Sequence, residues 1–346
     1  MPWILVGDQV IFALGDIATG FWIDRVRAGF ARLGPWIVAL TVASCAAFVA
    51  LPYAGASATL LVAAIVVWSV TSSALRAPPW AMLGRHAAVP ALPWLAMLVL
   101  TGNAVASAAA PYLGIALKGI DPRVPFVVST LTLLATVVIL AQAERRLPAQ
   151  EAKPIELPAI HLGQVVLFYA ALFFFAAGFQ VHFALNSAPQ YRRFAPAEDL
   201  PYLMPLFWIG FNLLMVPAAA LVKRFGALHA MAASAALGAA AALGSVLAPD
   251  LRSLSVAQLL AGGCWGAASV AAYTAAISLG RTGREGRLLG TLFAVLAVAA
   301  LARIAAYASD LVVEPAIKAM LPWMPEAAWL LAAILLLPAL RFERRK

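Results

Sequence analysis

Residues Gly15–Ile37 read GDIATGFWIDRVRAGFARLGPWI and hold Asp16, Asp24, Arg25, Arg27 and Arg32, in a chain that is 64% hydrophobic and 11% charged over 346 residues. Charge this scarce, gathered at the end of the first apolar run, marks a loop at a membrane surface. Acid and base together at a loop of this kind also ask which of them orient the chain and which do chemistry.

The whole sequence supports a membrane setting. Only 15 residues are acidic and the mean hydropathy is +0.92, so there is too little polar surface to cover a water-soluble globule. Apolar runs at 1–22, 35–52, 58–80, 91–117, 124–142, 163–187, 202–222, 228–248, 254–280, 288–309 and 325–341 are each long enough, or nearly so, to cross a hydrocarbon core of roughly 30 Å as a helix. The expected class is an all-α polytopic membrane protein with about eleven spans. The first run lacks a basic leader and a small-residue cleavage site, which reads as a span and not a signal peptide.

A formal charge of +9 could suggest nucleic acid, but the bases sort by side of the membrane instead of forming a stripe. With the 24–34 loop inside, 17 of the 24 Lys and Arg residues fall on that side, six lie opposite, and Arg303 alone falls within a span. The positive-inside rule then predicts a cytoplasmic C-terminus in a multi-pass plasma (inner) membrane protein. Cys45 and Cys264 lie in apolar runs and read as packing residues.

The longest polar segment runs from Ala143 to His161 and has three prolines, as a cytoplasmic linker would. It divides the chain into an N-terminal bundle, 1–142, a linker, 143–162, and a C-terminal bundle, 163–346. Five spans precede it and six follow. An internal repeat is visible in Gly20, Asp24, Arg25 against Ala219, Lys223, Arg224, and in GRHAAVP from Gly84 against GREGRLLG from Gly283.

The pattern Asp16, Gly20, Asp24, Arg25, Arg27, Arg32, Pro35, Trp36 resembles the loop between the second and third helices of the major facilitator superfamily. It is most similar to the glycoside-pentoside-hexuronide cation symporters, the melibiose-permease-like branch. The resemblance implies the major facilitator fold of two pseudo-repeated bundles, with the first helix absent, and a transporter that moves a small organic solute by alternating access. It also implies that Asp24 sits against the N-terminus of the eleventh helix of the full fold, here the run near Leu288, as a latch between bundles, and that Asp16 belongs to a cation site. Where that branch has a second Asp four residues earlier, this chain has Phe12. A proton is therefore favoured over sodium as the coupling ion.

Gly20 removes a side chain where helices approach, and Arg25, Arg27 and Arg32 serve equally as positive-inside anchors or as parts of a gate. Asp16 lies eight residues before Asp24, about 12 Å further into the bilayer at 1.5 Å per residue, where a carboxylate needs a partner or a proton. Asp8 and Arg303 fall at matching depths, about 24 and 22 Å from their loops, and are expected to pair as a gate or a static bridge. Cavity candidates are Trp68, Ser72 and Arg76 at spacing four, then Gln180, His182 and Asn186, then Trp265 and Tyr273. Arg76 could equally snorkel to the membrane edge.

No Walker loop, HExxH, CxxC or DxxxD pairing is present, so an enzyme, a bound metal and a cofactor are not expected. The expected partners are the lipid bilayer and a small-molecule solute, no nucleic acid, in a monomer. Two alternatives stand: a non-transporting or pigment-related assembly role on the same fold, and a proton-coupled exporter of apolar compounds, to whose Gly-Pro motif AAAPYLG at Ala108–Gly114 is similar.

Overall fold

Apolar runs bounded by Gly, Pro and charge form helices because, in lipid, the backbone must satisfy its own hydrogen bonds. The computed structural model describes residues 2–26, 34–121, 123–146, 161–280 and 283–343. Among these there is no strand. The helices are α1 (Pro2–Val26), α2 (Gly34–Ala50), α3 (Ala58–His86), α4 (Leu92–Ala116), α5 (Arg123–Arg146), α6 (Leu162–Val181), α7 (Ser187–Tyr191), α8 (Leu200–Leu203), α9 (Pro205–Phe225), α10 (Ala227–Leu247), α11 (Leu251–Gly280), α12 (Glu285–Ala308), α13 (Pro315–Met320) and α14 (Met324–Glu343). Among the described residues ten candidate spans are long and apolar enough to cross a membrane, and Met324–Leu340 is a shorter apolar helix beside them. The chain is an all-α polytopic membrane protein.

Local chemistry sets the helix ends. Ser57, in extended backbone, accepts the Leu60 N–H at 3.3 Å and caps α3. Asp250 accepts the Ser253 N–H at 2.7 Å before α11. Gly226 takes φ 90, which a side chain would resist, and its N–H closes α9 on the Val222 carbonyl at 3.0 Å.

Packing divides the chain into two units. The first comprises Met1–Ala87, Leu117–Pro158 and Ala276–Val298, so α12 enters it through its N-terminal half. Within it Ile37, Met82 and Val137 tie α2, α3 and α5 together, while Phe12, Ala13 and Ala297 join α1 to α12. Helix α5 continues through Arg146, three residues beyond the start of the polar segment at Ala143. Its last turn buries Glu144, whose Oε2 accepts the Gly34 N–H at 2.6 Å and so places a carboxylate at the positive end of α2. Most of the expected linker lies outside the described residues.

The second unit comprises Ala88–Ala116, Ala159–Ala275 and Ala299–Lys346. Its centre is Trp329 of α14, fully buried, whose indole N–H donates to the Phe175 carbonyl at 2.8 Å. Gly178 of α6 and Gly238 of α10 make room for that ring, since a Cβ at either would meet indole atoms. Helices α9 and α11 touch backbone to backbone. A Cβ on Gly262 would land on the Phe207 carbonyl, and one on Gly210 would land on that of Leu259.

Candidate functional site

The first site forms where α1 meets α3. At Gly15 a Cβ would run into the Ser73 hydroxyl, so its absence lets the helices close. One residue on, Asp16 is wholly buried and both its oxygens face Arg76: Nε donates to Oδ1 at 3.1 Å, and Nη2 donates to Oδ2. The Arg76 side chain remains 30% exposed. Its guanidinium carbon lies 4.7 Å from the centre of the Phe12 ring and 5.2 Å from that of Phe293, within range of cation–π attraction. The side chain reaches into the unit toward Asp16 and does not turn to the membrane edge. Phe12 is one of the rings that hold the guanidinium.

Ser72 and Trp68 lie about one and two turns along α3 from Arg76. Trp68 packs on Phe12 and Phe48, at 6.0 and 5.9 Å between ring centres. The Ser72 hydroxyl is 2.9 Å from that of Ser44. Together with Phe48, Leu75, Thr130 and Leu133 they line a cavity of about 350 Å³ between α2, α3 and α5, whose walls carry no charge.

Below this level α1 meets the start of α12. The Asp24 carboxylate accepts the Gly286 N–H at 2.7 Å and the Arg287 N–H at 3.0 Å, and the Arg287 Nε lies 3.4 Å from it. An anion therefore meets the free N–H groups at a helix N-terminus, where the helix dipole favours it. Glycines make the approach possible: a Cβ on Gly20 would strike the Gly286 carbonyl, and one on Gly290 would strike the Asp16 carbonyl. Arg25 is exposed in the last turn of α1, and Arg27 lies outside the described residues. Asp24→Ala is expected to cost about 1–2 kcal/mol as a lost helix cap, while Asp24→Asn, which keeps an acceptor, should cost less than half of that. Melting temperatures of the two variants in detergent check this.

Asp8 and Arg303 belong to different units, and each has a partner within its own. Asp8 accepts from the Ser69 hydroxyl and from Gln9 Nε2, the latter at 3.0 Å. Arg303 donates through Nε to Gln180 Oε1 at 2.8 Å.

In the second unit the chain widens into a π-turn over His182–Asn186 between α6 and α7. His182 is buried with Nε2 3.0 Å from Gln258 Oε1; Ser187 Oγ lies 3.1 Å from the same oxygen, and Gln258 Nε2 donates to Gln190 Oε1 at 2.8 Å. Asn186 turns elsewhere, donating to the Leu321 carbonyl at 2.6 Å. Trp265 stacks on Phe179 at 4.5 Å and is buried, as is Tyr273. The two aromatic residues therefore sit in the packed interior of this unit.

Several partners escape a reading by spacing. Ser69, Ser44 and Gln258 are single polar residues inside spans, and each is the hydrogen-bond partner of another span's polar residue. Intramembrane polarity is the signal that marks them. Glu144 reads as linker because it sits in a charged run.

No family model and no curated protein sequence matches the chain. Solved structures do. A bacterial homologue of the iron transporter ferroportin, in an outward-facing state with soaked iron, is similar over 97% of this chain and 89% of its own at TM-score 0.75 and 17% identity. The human organic anion transporter MFSD10 is similar over 97% and 83% at TM-score 0.76 and 15% identity. The major facilitator transporter FucP in the outward conformation is similar over 98% and 89% at TM-score 0.70 and 12% identity. The chain therefore has the fold of major facilitator superfamily transporters.

Proposed function

We propose that the chain is a secondary transporter that moves a small organic solute by alternating access, with Asp16 as its proton site. The observation that carries the reading is a wholly buried carboxylate paired with Arg76 inside a membrane span. An ionisable pair at that depth is costly and is retained for packing or for function; a guanidinium left partly exposed favours function. The fold and the similarity to transporter structures support the class.

The two moving parts are the bundles 1–142 and 163–346, in the parallel-repeat manner of such transporters. The bond from Asp24 to the start of α12 joins one sequence half to the other and acts as the cytoplasmic latch, opened once per cycle. Gly20, Gly286 and Gly290 let that latch close. A monomer in the plasma membrane with a cytoplasmic C-terminus completes the reading.

The test is uptake into proteoliposomes under an imposed pH gradient, with a mixed pool of small solutes analysed by mass spectrometry. Wild type is expected to accumulate at least one solute with the gradient and not without it, and Asp16→Asn should abolish the accumulation at unchanged protein level. Accumulation by Asp16→Asn that still follows the gradient would sink the proton assignment. The cavity with uncharged walls between α2, α3 and α5 supports a second reading, proton-coupled export of apolar compounds. Efflux of a lipophilic dye against its gradient would favour that one.

A further inference from the structure

A guanidinium has five N–H donors in a fixed planar fork. Asp16 takes two of those of Arg76, one from Nε and one from Nη2. The remaining three, on Nη1 and Nη2, have no acceptor among the described residues, although the side chain lies in a span and is only partly exposed. With the Phe12 and Phe293 rings over the guanidinium carbon, a polar ligand is left the N–H edge. That edge matches a carboxylate, which can take two parallel N–H bonds. We infer that the free edge of Arg76 binds the carboxylate of a small organic monoanion, and that Asp16 takes up a proton as the anion arrives.

Charge balance links the two events. Asp16 and Arg76 are neutral as a pair, so an added monoanion leaves an uncompensated negative charge in a poorly solvated site, a state that is strongly disfavoured. A proton on Asp16 restores neutrality and leaves Arg76 to the ligand. No other titratable group faces Asp16 among the described residues. Across from it α12 presents Gly290 and Phe293, and α3 presents Ser73 and Arg76. On α1 itself Asp8 and Asp24 each lie about 12 Å along the axis, bonded to Ser69 and Gln9 and to the start of α12 respectively. Glu285 and Arg287 belong to the Asp24 end of α12. Among the described residues, none of these groups is placed to supply the compensating charge.

The inference rests on Asp16 as a proton site but can be tested without transport. The detergent-purified protein is titrated with acetate, hexanoate and benzoate, with benzamide and benzylamine as neutral and cationic controls, and binding is read by tryptophan fluorescence and by the shift in melting temperature. At least one carboxylate should bind, benzamide should bind at least about tenfold more weakly, and carboxylate affinity should fall by up to about tenfold per pH unit between about pH 6 and pH 8, as one linked proton requires. Asp16→Asn should bind the carboxylate with a flattened pH profile. Because Arg76→Gln is expected to fold poorly, the double variant Asp16→Asn with Arg76→Gln is the decisive one, and it should lose binding. Carboxylate binding retained by the double variant, equal binding of benzamide, or no binding of any of the three carboxylates to wild type would overturn the inference. Gradient-driven, Asp16-dependent uptake of a neutral solute by a protein that binds none of them would leave the proton reading standing and remove the anion alone.

Discussion

Arg76→Gln is expected to lower stability by about 3–5 kcal/mol, the cost of leaving a buried charge without its partner. The charge left behind is that of Asp16, which is wholly buried, whereas the removed guanidinium is partly exposed. Most of the loss therefore comes from the orphaned carboxylate and little from lost packing of the arginine. Adding Asp16→Asn to the same chain should recover most of it, because a neutral amide needs hydrogen bonds and no counter-charge. The coupling energy between the two sites, measured as a double-mutant cycle in melting or denaturant midpoint, should exceed about 2 kcal/mol. Additive losses would mean that the two side chains do not act as a pair.

The second large effect is expected at Gly262 of α11. A Cβ there meets the Phe207 carbonyl, a backbone atom that cannot move aside by changing rotamer, and the facing Gly210 is in the same position against Leu259. Gly262→Leu must part α9 from α11 and strip contacts from Phe207 and Phe211, both buried, at about 3 kcal/mol, the upper part of the range for overpacking a core. Gly102→Ala in α4 is the control. Nothing lies within 4 Å of the added methyl, so that change should be neutral or stabilise by up to about 1 kcal/mol through helix propensity. Opposite shifts in melting temperature for Gly262→Ala and Gly102→Ala would separate close approach from the general effect of losing a helical glycine.

How far the sequence speaks depends on the kind of physics involved. Span number and helical class follow from hydropathy, because the bilayer imposes one length and one backbone solution. The meeting of Gly20 with α12 is legible in spacing, since Gly286 and Gly290 stand four apart and face it. The crossing of α9 and α11 carries the same signal in Gly262 and Gly266, also four apart. Depth along a helix is legible too, at 1.5 Å per residue, but it fixes height and not azimuth. That is why Asp8 and Arg303 read as level while Ser69 and Gln180 could not be foreseen as their partners. Arg76 posed the same difficulty: its position near a span end allows a snorkelling reading, and only the side on which α1 lies decides for Asp16. Glu144 was hidden by its neighbours, since a charged run at a helix end looks alike whether or not one member turns inward to cap α2.

The π-turn at His182–Asn186 behaves as an inserted residue in an otherwise regular span. In an unbroken α-helix His182 and Asn186 would share a stripe; with the wider turn it is Ser187 that comes round to His182, its hydroxyl donating to the His182 carbonyl at 3.0 Å. Everything beyond that point is phased by the insertion. Removing one residue from the turn would restore regular winding and rotate Ser187 and Gln190 by about 100°, one residue's worth of helix, swinging them off Gln258. A length change of a single residue, silent in composition and hydropathy, would thus disassemble a polar cluster that no substitution within it could move as a whole.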